Sequence, residues 1–308
     1  MAAPIETVAL CSPTGKLGPF LHQALQAQGL SVTAILRHSS MAVFPSDQKV
    51  IRISDEYCDD ELVTAFKGHD AVVLSLSFEM LGQAKRFAQA SIAAGNRWFI
   101  ASTYAANLED PNHALFPASV PHRQAVDELR ELQKGQDTWA WTSVSCGPWP
   151  ELSVAARAWN IDPDAKTAQL VDDGRNVFTC TTREQVGRTV ARLLAKQPAS
   201  MKNDIIYVSS FEASMLDWLD AFKKVIGSEG WMVTHVDGQT MLKESQAKMA
   251  AGRFQEAYVG LALIVCTAKG YQNRFSTVKK LVNEELELPE EDMVEVVRAG
   301  LAMPNPFA

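Results

Sequence analysis

The chain has 308 residues, 47% hydrophobic and 21% charged, with a formal net charge of -7, an ordinary globular profile. It has no Lys/Arg block that would suit a nucleic-acid backbone, and no apolar run long enough to span a bilayer. Five scattered cysteines (Cys11, Cys58, Cys146, Cys180, Cys266) are odd in number and lack Cys-x-x-Cys spacing, which fits a reducing compartment and gives no zinc pattern.

The chain starts Met-Ala-Ala-Pro-Ile-Glu, without the basic and apolar regions of a signal peptide, so the cytosol is the expected location. Residues 8–10 read as a short buried strand, followed by the turn Ser12-Pro13-Thr14-Gly15-Lys16-Leu17-Gly18. An apolar-periodic helix carries Phe20, Leu21, Ala24 and Leu25 and closes at Gly29. A second strand, 32–36, then delivers Arg37. This is a βαβ opening whose glycine turn would let a dinucleotide pyrophosphate meet a helix N-terminus. Gly15 admits the phosphates and Gly18 allows close packing of the helix. Ser12 stands where the usual first glycine would be. Because Pro13 disfavours the α region for Ser12 and a serine resists positive φ, the turn is expected to take a different path.

The second strand ends Leu36-Arg37-His38-Ser39-Ser40, with no acid. An acidic residue there would bond a ribose 2′-hydroxyl, whereas a basic one accommodates a 2′-phosphate. Arg37, helped by Ser39 or Ser40, therefore points to NADP(H).

Further strands are expected at 50–53, 70–76, 98–102 and 139–146, with helices at 60–66, 83–94 and 119–132 between them. This rhythm describes an α/β fold, a Rossmann-like doubly wound parallel sheet. Ser75, Ser77 and Phe78 follow one strand end and could line the cofactor, as could Ser102 at another. From Gly147-Pro148-Trp149-Pro150 the periodicity loosens. A cofactor-binding domain over 1–150 is expected, and over 151–308 a smaller, interleaved substrate lobe with some elements returning to the sheet. Within the lobe, 168–170 and 177–179 read as a hairpin about the turn at 172–175. Helices are expected at 183–194 (Thr182 as N-cap), 215–226, 239–249, 257–266, 278–286 and 290–301, and strands at 205–208 and 231–236.

The chain resembles the NmrA-like and isoflavone-reductase-like group of atypical short-chain dehydrogenases, particularly its fungal branch. The resemblance rests on Thr14-Gly15-Lys16-Leu17-Gly18, Leu36-Arg37, Gly68-His69-Asp70-Ala71-Val72-Val73, Asn96-Arg97-Trp98-Phe99-Ile100-Ala101-Ser102, Trp141 to Trp149 and Asp173-Gly174. It implies a Rossmann domain holding NADPH under a C-terminal substrate lobe, with Ser12, Thr14, Gly15, Leu17, Gly18, Arg37, Ser39, Ser75, Phe78 and Ser102 about the cofactor. The family's catalytic lysine is replaced by Arg123, which stays protonated and is a poor proton donor. The family's Ser-Glu-Phe-Gly is here Ser102-Thr103-Tyr104-Ala105.

The catalytic candidates are Tyr104, a proton donor if Arg123 or the ribose lowers its pKa; His122, with a natural pKa near neutrality; and Arg123 as a clamp on substrate or phosphate. A tyrosine holding a loop, a surface histidine and a solvated arginine are the structural alternatives. Trp149, Trp159, Met215 and Trp218 suggest an apolar substrate cavity, although Trp218 fits a core stripe equally well. No metal-ligand series is found. The leading expectation is an NADPH-dependent reductase of a carbonyl or conjugated double bond in a small aromatic or polyketide-like secondary metabolite. A non-catalytic NADP(H)-binding regulator presenting its second lobe to a protein partner, and a non-redox cyclase or isomerase, remain open.

Overall fold

The structure, a computed structural model, describes residues 3–305, without the side chains of Phe78 and Gln255. In chain order the first half runs β1 (Thr7–Cys11), α1 (Gly18–Ala27), β2 (Ser31–Arg37), β3 (Lys49–Ile53), α2 (Asp59–Phe66), β4 (Ala71–Leu74), α3 (Ala84–Ala94), β5 (Trp98–Ile100), α4 (Ser119–Gln133) and β6 (Ala140–Ser145). The second half runs α5 (Pro150–Ala155), β7 (Ile161–Asp162), β8 (Thr167–Val171), β9 (Val177–Cys180), α6 (Arg183–Lys196), β10 (Asp204–Tyr207), β11 (Phe211–Ser214), α7 (Met215–Ile226), β12 (Met232–Val236), α8 (Gly238–Ala250), α9 (Phe254–Thr267) and α10 (Met293–Ala302).

Seven parallel strands form one sheet in the order β3-β2-β1-β4-β5-β6-β10. Alternation along the strands supplies two apolar faces. Val8, Leu10, Val73, Ile100, Val144 and Ile206 face one way, against α1 and α6. Ala9, Cys11, Val72, Leu74, Phe99, Trp141 and Ile205 face the other, against α2, α3 and α4. The strand order reverses between β1 and β4, and at such a switch point the carboxyl ends of the strands open a crevice. The seventh strand, β10, comes from beyond Pro150, so the lobe and the sheet share chain.

The smaller lobe has a three-stranded sheet, β7-β8-β12, and a two-stranded ribbon, β9-β11. Its core gathers Trp159, Phe178, Met215, Trp218, Phe222 and Ile264. Two expectations fail here. Residues 168–170 and 177–179 do not form a hairpin: β8 pairs with β7 and β12, β9 with β11. The turn residue Asp172, at φ +52°, sends its N–H to Val236 and accepts from Gly238 N–H, so long-range pairing with β12 wins over the local hairpin. The expected helix at 278–286 is a series of turns. There Val282 N–H bonds the Tyr207 carbonyl and the Asn283 amide bonds both backbone groups of Ser209, recruiting the segment to the end of β10.

The face of α6 that meets α1 depends on Gly187. A Cβ there would stand 2.5 Å from the Phe20 carbonyl oxygen and 3.2 Å from the Ala24 Cβ. Gly187→Ala is therefore expected to destabilise the fold by about 1–3 kcal/mol in urea titration, despite alanine's better helix propensity. A gain in stability would show that the two helices can separate freely.

Candidate active site

The crevice is built from the turn after β1. Ser12 adopts φ +56°, the left-handed conformation that Pro13 was expected to deny it. The turn thus follows the glycine path after all, at a cost of roughly 1–2 kcal/mol for a residue with a Cβ. Two bonds hold it there. Ser12 N–H donates to the Ile35 carbonyl at 3.1 Å, and its hydroxyl lies 3.2 Å from the Tyr57 hydroxyl. Thr14 and Gly15 are exposed. A Cβ on Gly15 would come no closer than 3.9 Å to Ser75 O and 4.0 Å to Ser12 O, so a shallow hollow lies between the ends of β1 and β4. Gly18 works differently from expectation: its missing Cβ would strike the Pro13 carbonyl carbon at 2.4 Å, so it closes the turn on itself. Leu17 is buried, and its carbonyl accepts from Phe20 and Leu21 N–H. No side chain caps α1. With Pro19 lacking an N–H and Phe20 and Leu21 N–H on the Leu17 carbonyl, the helix start leaves Gly18 N–H, and the positive end of the α1 dipole beside the hollow over Gly15 fits a dinucleotide pyrophosphate.

At the end of β2, Arg37 is exposed. Ser39 is not free: its N–H donates to Asp55 Oδ1 at 3.0 Å, and its hydroxyl and N–H hold the Asp55 carboxyl below the usual range. An acid absent from residues 36–40 thus arrives from beyond β3. Ser75 is buried, its N–H on the Cys11 carbonyl, and Ser102 Oγ accepts Leu76 N–H at 2.9 Å, tying the ends of β4 and β5. The expectation at Phe78 lies outside the described residues.

The chain after β5 runs beside the end of β6, where the Ala105 carbonyl accepts N–H from both Cys146 and Gly147 at 3.0 Å. Gly147, at φ +67°, is obligatory, since its Cβ would lie 2.2 Å from the Thr179 carbonyl oxygen. This turn carries Trp149, which packs with Tyr104 and Cys146 in one apolar cluster. The Tyr104 hydroxyl is buried without a hydrogen-bond partner, and the buried Trp149 indole nitrogen faces the Cys146 thiol. Burial drives the Tyr104 pKa upward, not downward as acid catalysis by lowered pKa required. It likewise pushes the Cys146 thiol up to about 12.

His122 and Arg123 diverge, as adjacent helix positions must. Arg123 turns outward to Asp127 at 3.1 Å and the Leu108 carbonyl at 2.9 Å, so it does not join Tyr104. The half-buried His122 imidazole sits against the Ser102 backbone, with Nδ1 shut off from solvent and unpartnered. Burial lowers its pKa to about 4. Trp159, Met215 and Trp218 do not line the crevice. They are lobe core: Trp159 and Trp218 stack at 4.5 Å, and Met215 Sδ accepts Val171 N–H.

Sequence reading missed a second structural element, the buried pair of Arg183 and Glu151. Arg183 Nε donates to Glu151 Oε1 at 2.8 Å, an Nη donates to the Lys16 carbonyl at 3.0 Å, and the guanidinium lies 4.5 Å from the Phe20 ring centroid. Partners 32 and 167 residues apart leave no local signal. Among the described residues, no group of three His, Cys, Asp or Glu lies close enough to hold a metal. No helix there is long and apolar enough to cross a membrane.

Residues 13–197 match the NAD(P)H-binding family. The chain belongs to that family. It is 28% identical over 290 residues, 93% of this chain and 96% of the relative, to a protein of Aspergillus flavus named oxidoreductase aprR. Its fold is the isoflavone-reductase-like one. A crystal structure of isoflavone reductase superposes with a TM-score of 0.76 at 18% identity, covering 95% of this chain and 98% of that one. The leucoanthocyanidin reductase–NADPH complex from Vitis vinifera gives 0.74 at 17% identity, covering 96% and 100%.

A histidine with a folded-state pKa near 4 and an unfolded value near 6.5 makes stability depend on pH. Between those values the unfolded chain binds the extra proton. The neutral ring's contribution is complete above about 6.5 and is lost as pH falls toward 4, by no more than about 3.5 kcal/mol. NMR titration of His122 should place its midpoint near 4; a midpoint near the ordinary histidine value would show the ring open to water.

Proposed function

We propose that this protein is an NADPH-dependent reductase of a carbonyl or conjugated double bond in a small, ring-bearing metabolite of the aromatic or polyketide-like kind. The observation that carries this reading is the buried, unpartnered Tyr104 hydroxyl just past the end of β5, with His122 Nδ1, likewise buried and unpartnered, on α4 against the Ser102 backbone. Buried polar groups are almost always satisfied, so such exceptions at the carboxyl ends of parallel strands support a place for a ligand's own polar atoms.

The bound dinucleotide would supply hydride; the chain's part is binding, orientation and proton handling. The positive end of the α1 dipole and the hollow above Gly15 would take the pyrophosphate, with Thr14 beside them, and exposed Arg37 the 2′-phosphate. Tyr104, whose phenol burial keeps protonated, would donate a hydrogen bond to the substrate oxygen that gains charge. His122 is neutral at pH 7 and so keeps one N–H and one lone pair, which lets it pass a proton without placing a cation in the crevice. Such uncharged donors replace the family's lysine. Arg123 does not, because Asp127 and the Leu108 carbonyl already hold it.

The substrate class is supported by the rim. Phe116 and Tyr258 meet at 4.7 Å between ring centroids, with Val120, Phe254 and Val259 exposed around them. This apolar border would favour a flat ring over a sugar or an acid. Beside Phe116, Asn107, Asp110, Tyr271 and Asn273 line a void of about 10 Å³, one water's worth. The relatives' names, an oxidoreductase and reductases of phenolic compounds, agree with this choice.

Single-turnover oxidation of NADPH by aromatic ketones, enones and quinones tests the reading. Tyr104→Phe and His122→Ala are each expected to lower the rate by about 10²-fold, while Arg123→Ala changes it by less than about threefold. Full activity in Tyr104→Phe would remove Tyr104 as the donor, and product without NADPH consumption would remove the reductase assignment in favour of an isomerase or cyclase.

A further inference from the structure

Ser12 raises a question that the dinucleotide reading leaves unanswered: what a serine does at a position whose conformation suits glycine. Its neighbour supplies the answer. Tyr57 is buried to 4% exposure, packs on the Phe87 ring at 5.3 Å between centroids, and itself adopts φ +55°. Both backbone ends are tied, its N–H to the Ser54 carbonyl at 3.0 Å and its carbonyl to an Arg86 Nη at 2.9 Å. The phenol is therefore a rigid post, and its hydroxyl meets the Ser12 hydroxyl at 3.2 Å. Ser12 in turn is fixed from the other side by the Ile35 carbonyl.

We infer that Tyr57 is a positioning residue for dinucleotide binding, donating its hydroxyl proton to Ser12 Oγ so that the Ser12 proton is left to donate to a cofactor oxygen above the turn. The inference rests on the proposed dinucleotide site and adds two residues acting as a relay. The 3.2 Å contact lets either hydroxyl donate. An anionic ligand above the turn selects the arrangement with Tyr57 as donor, because the serine then faces the ligand as a donor itself. A glycine at position 12 would hold the turn but contribute no hydroxyl. Tyr57 serves here because its ring packs on Phe87 and its carbonyl is held by Arg86, so little freedom is left to lose on binding.

The test is a double-mutant cycle on the whole protein, with NADPH affinity by calorimetry and the urea midpoint measured for each variant. Tyr57→Phe keeps the ring against Phe87 and is expected to weaken NADPH binding about fivefold. In a Ser12→Gly background the same change is expected to alter affinity by less than about twofold, because no hydroxyl remains to be oriented. Equal losses in both backgrounds, or a lower urea midpoint with unchanged affinity in Tyr57→Phe, would reduce Tyr57 to packing and overturn the inference while leaving the dinucleotide site intact. Failure of the parent protein to bind either NADPH or NADH would overturn the site itself, and the relay with it.

Discussion

The Arg183–Glu151 pair holds the working parts of this molecule in one arrangement. Both side chains are close to fully buried, at 9% and 11% exposure, and they meet at 2.8 Å. Removing one partner of such a pair costs about 3–5 kcal/mol, because the other is left charged and unpaired in a dry setting. Arg183 begins α6 and also grips the Lys16 carbonyl of the glycine turn, while Glu151 sits in the first turn of α5, just past Trp149. One guanidinium therefore joins the place where phosphates would lie to the strand end that carries Trp149. A cofactor held by the turn would have its far end delivered to the Tyr104 and Trp149 cluster only because that span is fixed. Both Cys146 and Cys180 feel the Glu151 charge, which places it beneath the turn at Gly147.

The second constraint is electrostatic. Past the ends of β5 and β6 lie the Tyr104 phenol and the Cys146 thiol with the Trp149 indole, and the His122 imidazole lies against the Ser102 backbone; burial favours the uncharged form of each titratable one. A lysine cation there would require a partner, and the nearest cation on α4, Arg123, has found one outside, in Asp127. A dry, uncharged site strengthens hydrogen bonds to charge that develops during reaction, since little water competes for it.

Much of this was legible in the sequence, for local reasons. The strands of the main sheet, the helix capped by Thr182, the helix from Met215, and the glycine stops at Gly29, Gly68 and Gly95 follow from periodicity, capping and positive φ. The family was legible from motifs spread along most of the chain. What failed was long-range. Tyr57 and Asp55 reach the cofactor side from the β3–α2 loop, and Arg183 from the far end of the lobe. No spacing in sequence announces such partners. The tryptophans misled for a related reason. Trp159 and Trp218 have the composition of a pocket wall, but the small lobe needs large rings to make a core of its own, and it uses them there. At Ser12 a local rule met a tertiary counterforce: Pro13 disfavours the left-handed turn, and two hydrogen bonds impose it.

The chemistry is tested most directly by the fate of the transferred hydrogen. NADPH labelled with deuterium on the reactive face of nicotinamide C4 would be incubated with the protein and an aromatic enone or ketone substrate, and the product weighed by mass spectrometry. One deuterium in the product, with a slowed single-turnover rate for the labelled cofactor, is the expected result. Product that forms at full rate with no label, from either face of the nicotinamide, would contradict hydride transfer in this crevice.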